Sequence, residues 1–171
     1  MSTRRLGTIT LGFFLMGGIT LLAAPTKEER DVEKYSKLLK SAKDPKDKVT
    51  ALKELGRLGQ IQVSLTKPIV PEIIKALEDK DEKVRAEAAV TIGKVDPEEK
   101  KEVVEKLTKI LKDEKETEAV KHGAAEGLSA MGPEAKEAVP VLKELDGKAK
   151  KGDRIYRMAI QTINGTMKKK N

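Results

Sequence analysis

Apolar residues recur along this chain in a block of fixed length. Val84-Arg85-x-x-Ala88-Ala89-x-x-Ile92-Gly93 returns as Val120-Lys121-x-x-Ala124-Ala125-x-x-Leu128-Ser129. Weaker copies flank the pair, at Ala51-Leu52-x-x-Leu55-Gly56 and at Ile155-Tyr156-x-x-Ala159-Ile160-x-x-Ile163-Asn164. Within each block the apolar positions fall at i, i+4, i+5 and i+8, one stripe of an α-helix. We term these the A helices. Asp81 is placed to cap the second of them, which runs to about Gly93. Ala at the centre of the stripe lets a neighbouring helix come close, and Gly93 suits a helix end or tight packing.

A second series has its own register. Val70-x-x-Ile73-x-x-Ala76-Leu77 aligns with Val104-x-x-Leu107-x-x-Ile110-Leu111 and with Val139-x-x-Leu142-x-x-Leu145. These are the B helices. Pro71 and Pro140 follow the leading Val in two copies, where a first turn tolerates proline. Asp96-Pro97 and Gly132-Pro133 mark the turns from A to B, with proline placed to open the B helix. The remaining glycines of the chain's body read as punctuation at helix ends. Val32-x-x-Tyr35-x-x-Leu38-Leu39 is a lone B-like helix upstream, and Ile155–Ile163 a lone A helix downstream. Two helix series at matching periods near 36 residues predict stacked supersecondary units rather than one globular core. Stacks of this kind need atypical end units.

Composition narrows the class. The chain has no Cys, so neither disulfides nor thiolate chemistry are available. Phe13 and Phe14 lie near the N-terminus, and only Tyr35 and Tyr156 are aromatic thereafter. The core must be Leu, Ile, Val and Ala. No stretch alternates apolar and polar residues, so the expected fold is all-α. Arg4 and Arg5 precede an uncharged stretch, Leu6 to Ala24, followed by Pro25. This describes a secretory signal, with a retained membrane anchor as the competing reading. Leu6-Gly7-Thr8 lacks the apolar pattern expected after a twin-arginine pair, which favours the general secretory route. Either reading exports the body of the chain, to a periplasmic or secreted location. The expected organisation is a signal or anchor at 1–24, a capping helix at 25–43, a repeat domain at 44–165 and a basic tail at 166–171. Charge is dense but mixed. From Lys143 onward nine basic residues face three acidic ones, and the rest of the body is near neutral.

The pattern Leu77-x-Asp79-x-Asp81-x-x-Val84-Arg85-x-x-Ala88-Ala89-x-x-Ile92-Gly93 resembles a HEAT repeat, as does Gly132-Pro133-Glu134-Ala135-x-x-Ala138-Val139-Pro140-x-Leu142, a form found in exported bacterial HEAT proteins. The resemblance spans roughly Lys43 to Gly165. It implies a right-handed α-solenoid of about three helical pairs with half-repeat caps at both ends. It further implies A helices on the convex side and B helices lining the concave side. In this family an Asp and an Arg six positions apart form an inter-unit ladder, and Asp79 and Arg85 match that pair. In the third unit Asp113 stands eight residues before Lys121, so the resemblance carries no regular ladder to that junction.

The residues offer little chemistry. His122 is the sole histidine. It falls on an A helix away from the Ala124-Ala125 stripe, where a solvated or packing role is expected. A metal site needs several convergent ligands, a serine nucleophile needs a turn to seat it, and a phosphate needs a glycine-rich loop; none is legible. No catalytic residue, cofactor or metal is expected. Successive B helices would instead bring Lys75, Lys109 and Glu144 into one row and Glu72, Lys106 and Val141 into another. Lys75, Lys106, Lys109 and Glu144 are therefore the candidate partner-binding residues, for a protein partner held in the concavity. Lys168, Lys169 and Lys170 are a solubilising tail or a contact for an anionic surface such as lipid headgroups. Nucleic acid is not expected, because no aromatic platform exists for base stacking. The leading expectation is an exported, non-catalytic scaffold or adaptor. The alternatives are a subunit of a lyase-type enzyme, by resemblance to the phycobilin lyase branch of HEAT-like repeats, and a membrane-tethered adaptor.

Overall fold

The computed structural model describes residues 24–166. The segment read as signal or anchor lies outside them through residue 23, as do Lys168, Lys169 and Lys170. Among the described residues there is no strand, and no helix is long and apolar enough to cross a membrane. Nine α-helices follow in order: α1 (Lys27–Ser41), α2 (Pro45–Ile61), α3 (Val63–Thr66), α4 (Val70–Ala76), α5 (Glu82–Lys94), α6 (Lys100–Lys112), α7 (Glu118–Met131), α8 (Val139–Lys148) and α9 (Ile155–Ile163). The A helices are α2, α5, α7 and α9. The B helices are α1, the α3–α4 segment, α6 and α8.

The helix ends follow local chemistry. Three of the four A helices start on a side-chain cap that meets otherwise unpaired N–H groups. The Asp44 carboxylate accepts from the Lys46 N–H at 2.9 Å, Asp81 from Lys83 at 2.9 Å, and the Thr117 hydroxyl from Val120 at 3.4 Å. The B helices α4, α6 and α8 have no such cap. Short 3-10 segments, Lys67–Ile69 and Gly132–Ala138, lead into α4 and α8 instead. Pro71 and Pro140 sit at the second position of those helices, where the missing N–H costs nothing and the ring keeps the α-helix from extending backwards. Pro97 differs from expectation. It stays in the loop three residues ahead of α6, behind Asp96 at φ 46°. Pro133 opens the 3-10 segment rather than α8.

Each stripe read from the sequence is buried. Val84, Ala88, Ala89 and Ile92 of α5, and Val120, Ala124, Ala125 and Leu128 of α7, are fully inaccessible. Leu52 and Leu55 of α2, Leu107 of α6 and Leu142 of α8 complete one continuous apolar layer between the two rows. Each such aliphatic side chain contributes about 1.5–3 kcal/mol on transfer from water. α1 closes one end against α2, and α9 closes the other against α7 and α8.

The two rows differ in spacing. A helices pack directly on their row neighbours: α2 on α5, α5 on α7, and α7 on α9. The α5–α7 seam is the tightest. A Cβ on Gly93 would lie 2.7 Å from the Gly127 Cα, and one on Gly123 or Gly127 would collide with the carbonyl of Ala86 or Ala89. Gly93 is both near the end of α5 and tightly packed, as expected, whereas Gly123 and Gly127 do not punctuate a helix end. Gly123 and Gly127 are interior to α7 because only a bare Cα permits that approach. Along the B row, by contrast, α4 and α6 stand apart across a groove of about 640 Å³ floored by Pro68, Val70, Pro71 and Ile74. Smaller grooves open between α1 and α4 and between α6 and the Gly132–Ala138 segment. The row with the shorter separations is the inside of a bent stack. The A helices therefore line the inner side and the B helices the outer, the reverse of what the resemblance implied.

Candidate binding surfaces

An ion-pair ladder runs along the edge where B helices pass into A helices. Three of the four A helices present a cation four residues after the cap: Lys48 after Asp44, Arg85 after Asp81, Lys121 after Thr117. Lys48 donates to the Asp79 carboxylate at 2.6 Å. Arg85 grips Glu116 with two parallel bonds, from Nε at 2.9 Å and Nη2 at 2.7 Å. Bidentate geometry makes the second rung the stronger kind of pair. Asp79 and Arg85 are thus both ladder members, but they do not pair through their side chains. Arg85 Nη1 donates to the backbone carbonyl of Asp79 at 2.8 Å. The acid of the next rung is Glu116, not Asp113, whose carboxylate accepts from the Lys115 N–H in its own turn. The legible signal was the offset: acid follows cation by 31 residues in both rungs.

The ladder sets the ionisation of its members. The Arg85 bond holds Glu116 below the usual carboxylate value, helped by the Thr117 N–H and the charge of Lys121, against the opposing pull of burial. For Asp79 burial is the largest single influence and pushes upward. The Asp81 N–H and Lys48 together outweigh it, leaving Asp79 lowered. Glu116 raises Arg85 in return.

At the C-terminal end the same edge opens into a cavity of about 460 Å³ between α6, α7, α8 and the start of α9. His122 stands here in place of a free surface side chain. Its Nε2 is 2.9 Å from Asp153 Oδ2, but the carboxylate lies off the N–H direction, so this is a close polar contact without an aligned hydrogen bond. The imidazole meets the Tyr156 ring edge-on at 5.4 Å. Tyr156 is the only fully buried aromatic among the described residues, and its hydroxyl donates to Glu118 at 3.0 Å. Burial, then that bond, raise its ionisation well above the usual phenol value. No group of three or more His, Asp or Glu side chains among the described residues is arranged to hold a metal ion.

The four residues singled out from sequence are on the outer row and open to different surroundings. Lys75 borders the α1–α4 groove, Lys109 the groove beyond α6, and Glu144 the C-terminal cavity. Lys106 pairs with Glu102 of its own helix at 3.5 Å, and Glu144 with Lys148 of its own helix at 2.6 Å. They do not converge on one pocket. The inner row carries a surface that the sequence reading passed over. Ala86 and Val90 of α5 are half-buried and Ala130 of α7 is exposed, so short side chains pave it. Among them Glu87 is shared by three helices. It lies 4.0 Å from Lys53 of α2, and it feels Lys94 of its own helix and Glu126 of α7. Burial is the main cause that raises Glu87 above the usual carboxylate value.

Stacked helical pairs, a continuous inter-layer core and an edge ladder define an α-solenoid. A family model for HEAT repeats matches residues 32–116 and again residues 70–164. The chain belongs to the HEAT-repeat family, whose stacked helices are scaffolds for protein interaction and typically non-catalytic. No curated protein matches it.

Proposed function

We propose that this chain is an exported, non-catalytic scaffold that holds a protein partner against its inner, A-helix face. The supporting observation is the Glu87 neighbourhood. A half-buried carboxylate sits among Lys53, Lys94 and Glu126 on a floor of Ala86, Val90 and Ala130. Short side chains let a partner's backbone approach, and the fixed charges give it register. Large aromatic anchors are absent, so the interface is polar, modest in affinity and salt-sensitive. Export rests on the basic, apolar, small-residue order of residues 4–24.

Crosslinking in the native cell envelope followed by pull-down tests the face. Reversing charge at Lys53 and Lys94 is expected to lower recovery of the partner severalfold. Reversing Lys75, Lys106 and Lys109 on the outer row is expected to leave it unchanged. The opposite pattern restores the outer row as the binding face. N-terminal sequencing of the exported protein separates the two export readings: a start near Ala24 removes the tether.

A further inference from the structure

The third rung of the ladder is incomplete. Lys121 holds the position of Lys48 and Arg85, four residues past its cap. Its matching acid is Asp153, which precedes α9 as Asp79 precedes α5 and Glu116 precedes α7. Asp153 is taken. One oxygen lies 2.9 Å from His122 and the other accepts from the Ile155 N–H at 3.1 Å. Glu116, on the other side, accepts both Arg85 bonds and the Thr117 N–H, and meets Lys121 only as a nearby charge beyond ion-pair distance. No carboxylate among the described residues lies within ion-pair distance of the Lys121 ammonium, although the residue is only 8% exposed. The stem of Lys121 is packed away, while its ammonium is not among the buried polar atoms that lack a hydrogen-bond partner, so it faces the cavity and an anion can meet it there.

Lys121 lines the C-terminal cavity. We propose that this cavity binds a carboxylate bearing an apolar body, the carboxylate completing the third rung on Lys121. Both filled rungs are cation–carboxylate contacts of 2.6–2.7 Å, so the slot is built for that group. The charges around it favour a single negative charge. Glu144 is engaged by Lys148, Asp153 by His122, and Glu118 by the Tyr156 hydroxyl, while Lys112 and Lys150 at the rim have no carboxylate at ion-pair distance among the described residues. The cations therefore attract an anion, and the fixed acids repel a second charge such as a phosphate dianion carries. Leu111, Val141, Leu145 and Ala149 supply the apolar wall. The volume, about 460 Å³, is in the range of small-ligand sites. The α1–α4 groove occupies the corresponding place at the other end, and there Lys48 is already met by Asp79. The chain satisfies that site internally and leaves this one to a ligand. The site lies on the loop edge, so its failure leaves the inner-face reading intact.

Two sources share the chemistry: a free small carboxylate, and the C-terminus of a peptide ending in an apolar residue. Calorimetric titration of the full chain at pH 7 separates them. The probes are 4-phenylbutyrate against its amide, and a tetrapeptide ending in leucine as free acid against its carboxamide. At least one free acid is expected to bind about tenfold or more tightly than its amide, the scale of one charge-assisted hydrogen bond. The tighter acid identifies the source. Lys121→Met is expected to abolish the preference and Lys121→Arg to retain it. Val141→Trp, which fills the cavity without touching the ladder, is expected to block both acids. Absence of acid-over-amide preference in the wild-type chain overturns the proposal without recourse to any variant. So does undiminished acid binding by folded Lys121→Met or Val141→Trp.

Discussion

The α5–α7 seam and the α4–α6 gap come from the same repeat and end up opposite in character. In the seam, glycine stands where a neighbour's backbone must fit, and the helices meet with Gly127 against Ala89 and Gly93. In the gap, Pro68, Pro71 and Ile74 hold the chain apart, and a groove remains. Side-chain size on one stripe therefore decides which row is inner. A stack bends toward the row whose members come closest. Both rows bury an apolar stripe, so the presence of a stripe alone does not say which row is inner.

The comparison is most easily broken at the seam. Gly127→Val drives a branched side chain into the Ala89 carbonyl and is expected to cost about 3 kcal/mol or more. Ile74→Ala, at the half-buried wall of the groove, is expected to cost less than about 2 kcal/mol. Urea denaturation measures both, and equal losses would deny the seam its special role.

The ladder sharpens the picture next. Glu116→Gln keeps the shape and removes the charge that Arg85 holds bidentately, with both side chains largely enclosed at 12% and 20% exposure. A loss of about 2 kcal/mol at pH 7 is expected. The pH dependence has a fixed sign. Glu116 is lowered from its ordinary 4.5 in the folded chain, so its stabilisation is fully present above that value. It is lost as pH falls through the lowered folded value. Stability of the wild-type chain should therefore drop below pH 4.5, and Glu116→Gln should flatten that limb. Parallel acid limbs would remove Glu116 from the account.

The smallest effect concerns the join between α2 and α5. The Thr91 hydroxyl, buried in the inner row, donates to the Leu52 carbonyl at 3.1 Å. Thr91→Val is expected to cost about 1 kcal/mol, read from the same denaturation curves. No change would show that apolar packing alone joins these helices.

The sequence pattern carried the architecture well. Both helix series, the Asp81 cap and α9 at Ile155–Ile163 stand where periodicity placed them. Curvature was not legible, because apolar periodicity reports which residues are buried and not how near two helices come. Gly123 and Gly127 held that information but resemble helix-end punctuation until a facing backbone is known. The ladder was half-visible. Asp79 and Arg85 were found as a local pair six residues apart, whereas the contacts link units 31 residues apart. Glu116 escaped because the pattern offers only Asp113, eight residues before Lys121, and carries no regular ladder to that junction. The enclosure of Lys121 depends on α8 and α9 folding over it, which no local pattern encodes.

The inner-row assignment is tested most directly by distance. The chain has no native cysteine, so pairs can be introduced cleanly. Spin labels at Val90 and Glu126 report spacing between adjacent A helices, and labels at Lys75 and Lys109 report spacing between adjacent B helices. Pulsed electron paramagnetic resonance should give a shorter distance for the first pair than for the second. A shorter distance between the B-helix labels would put the bend on the other side and contradict the account.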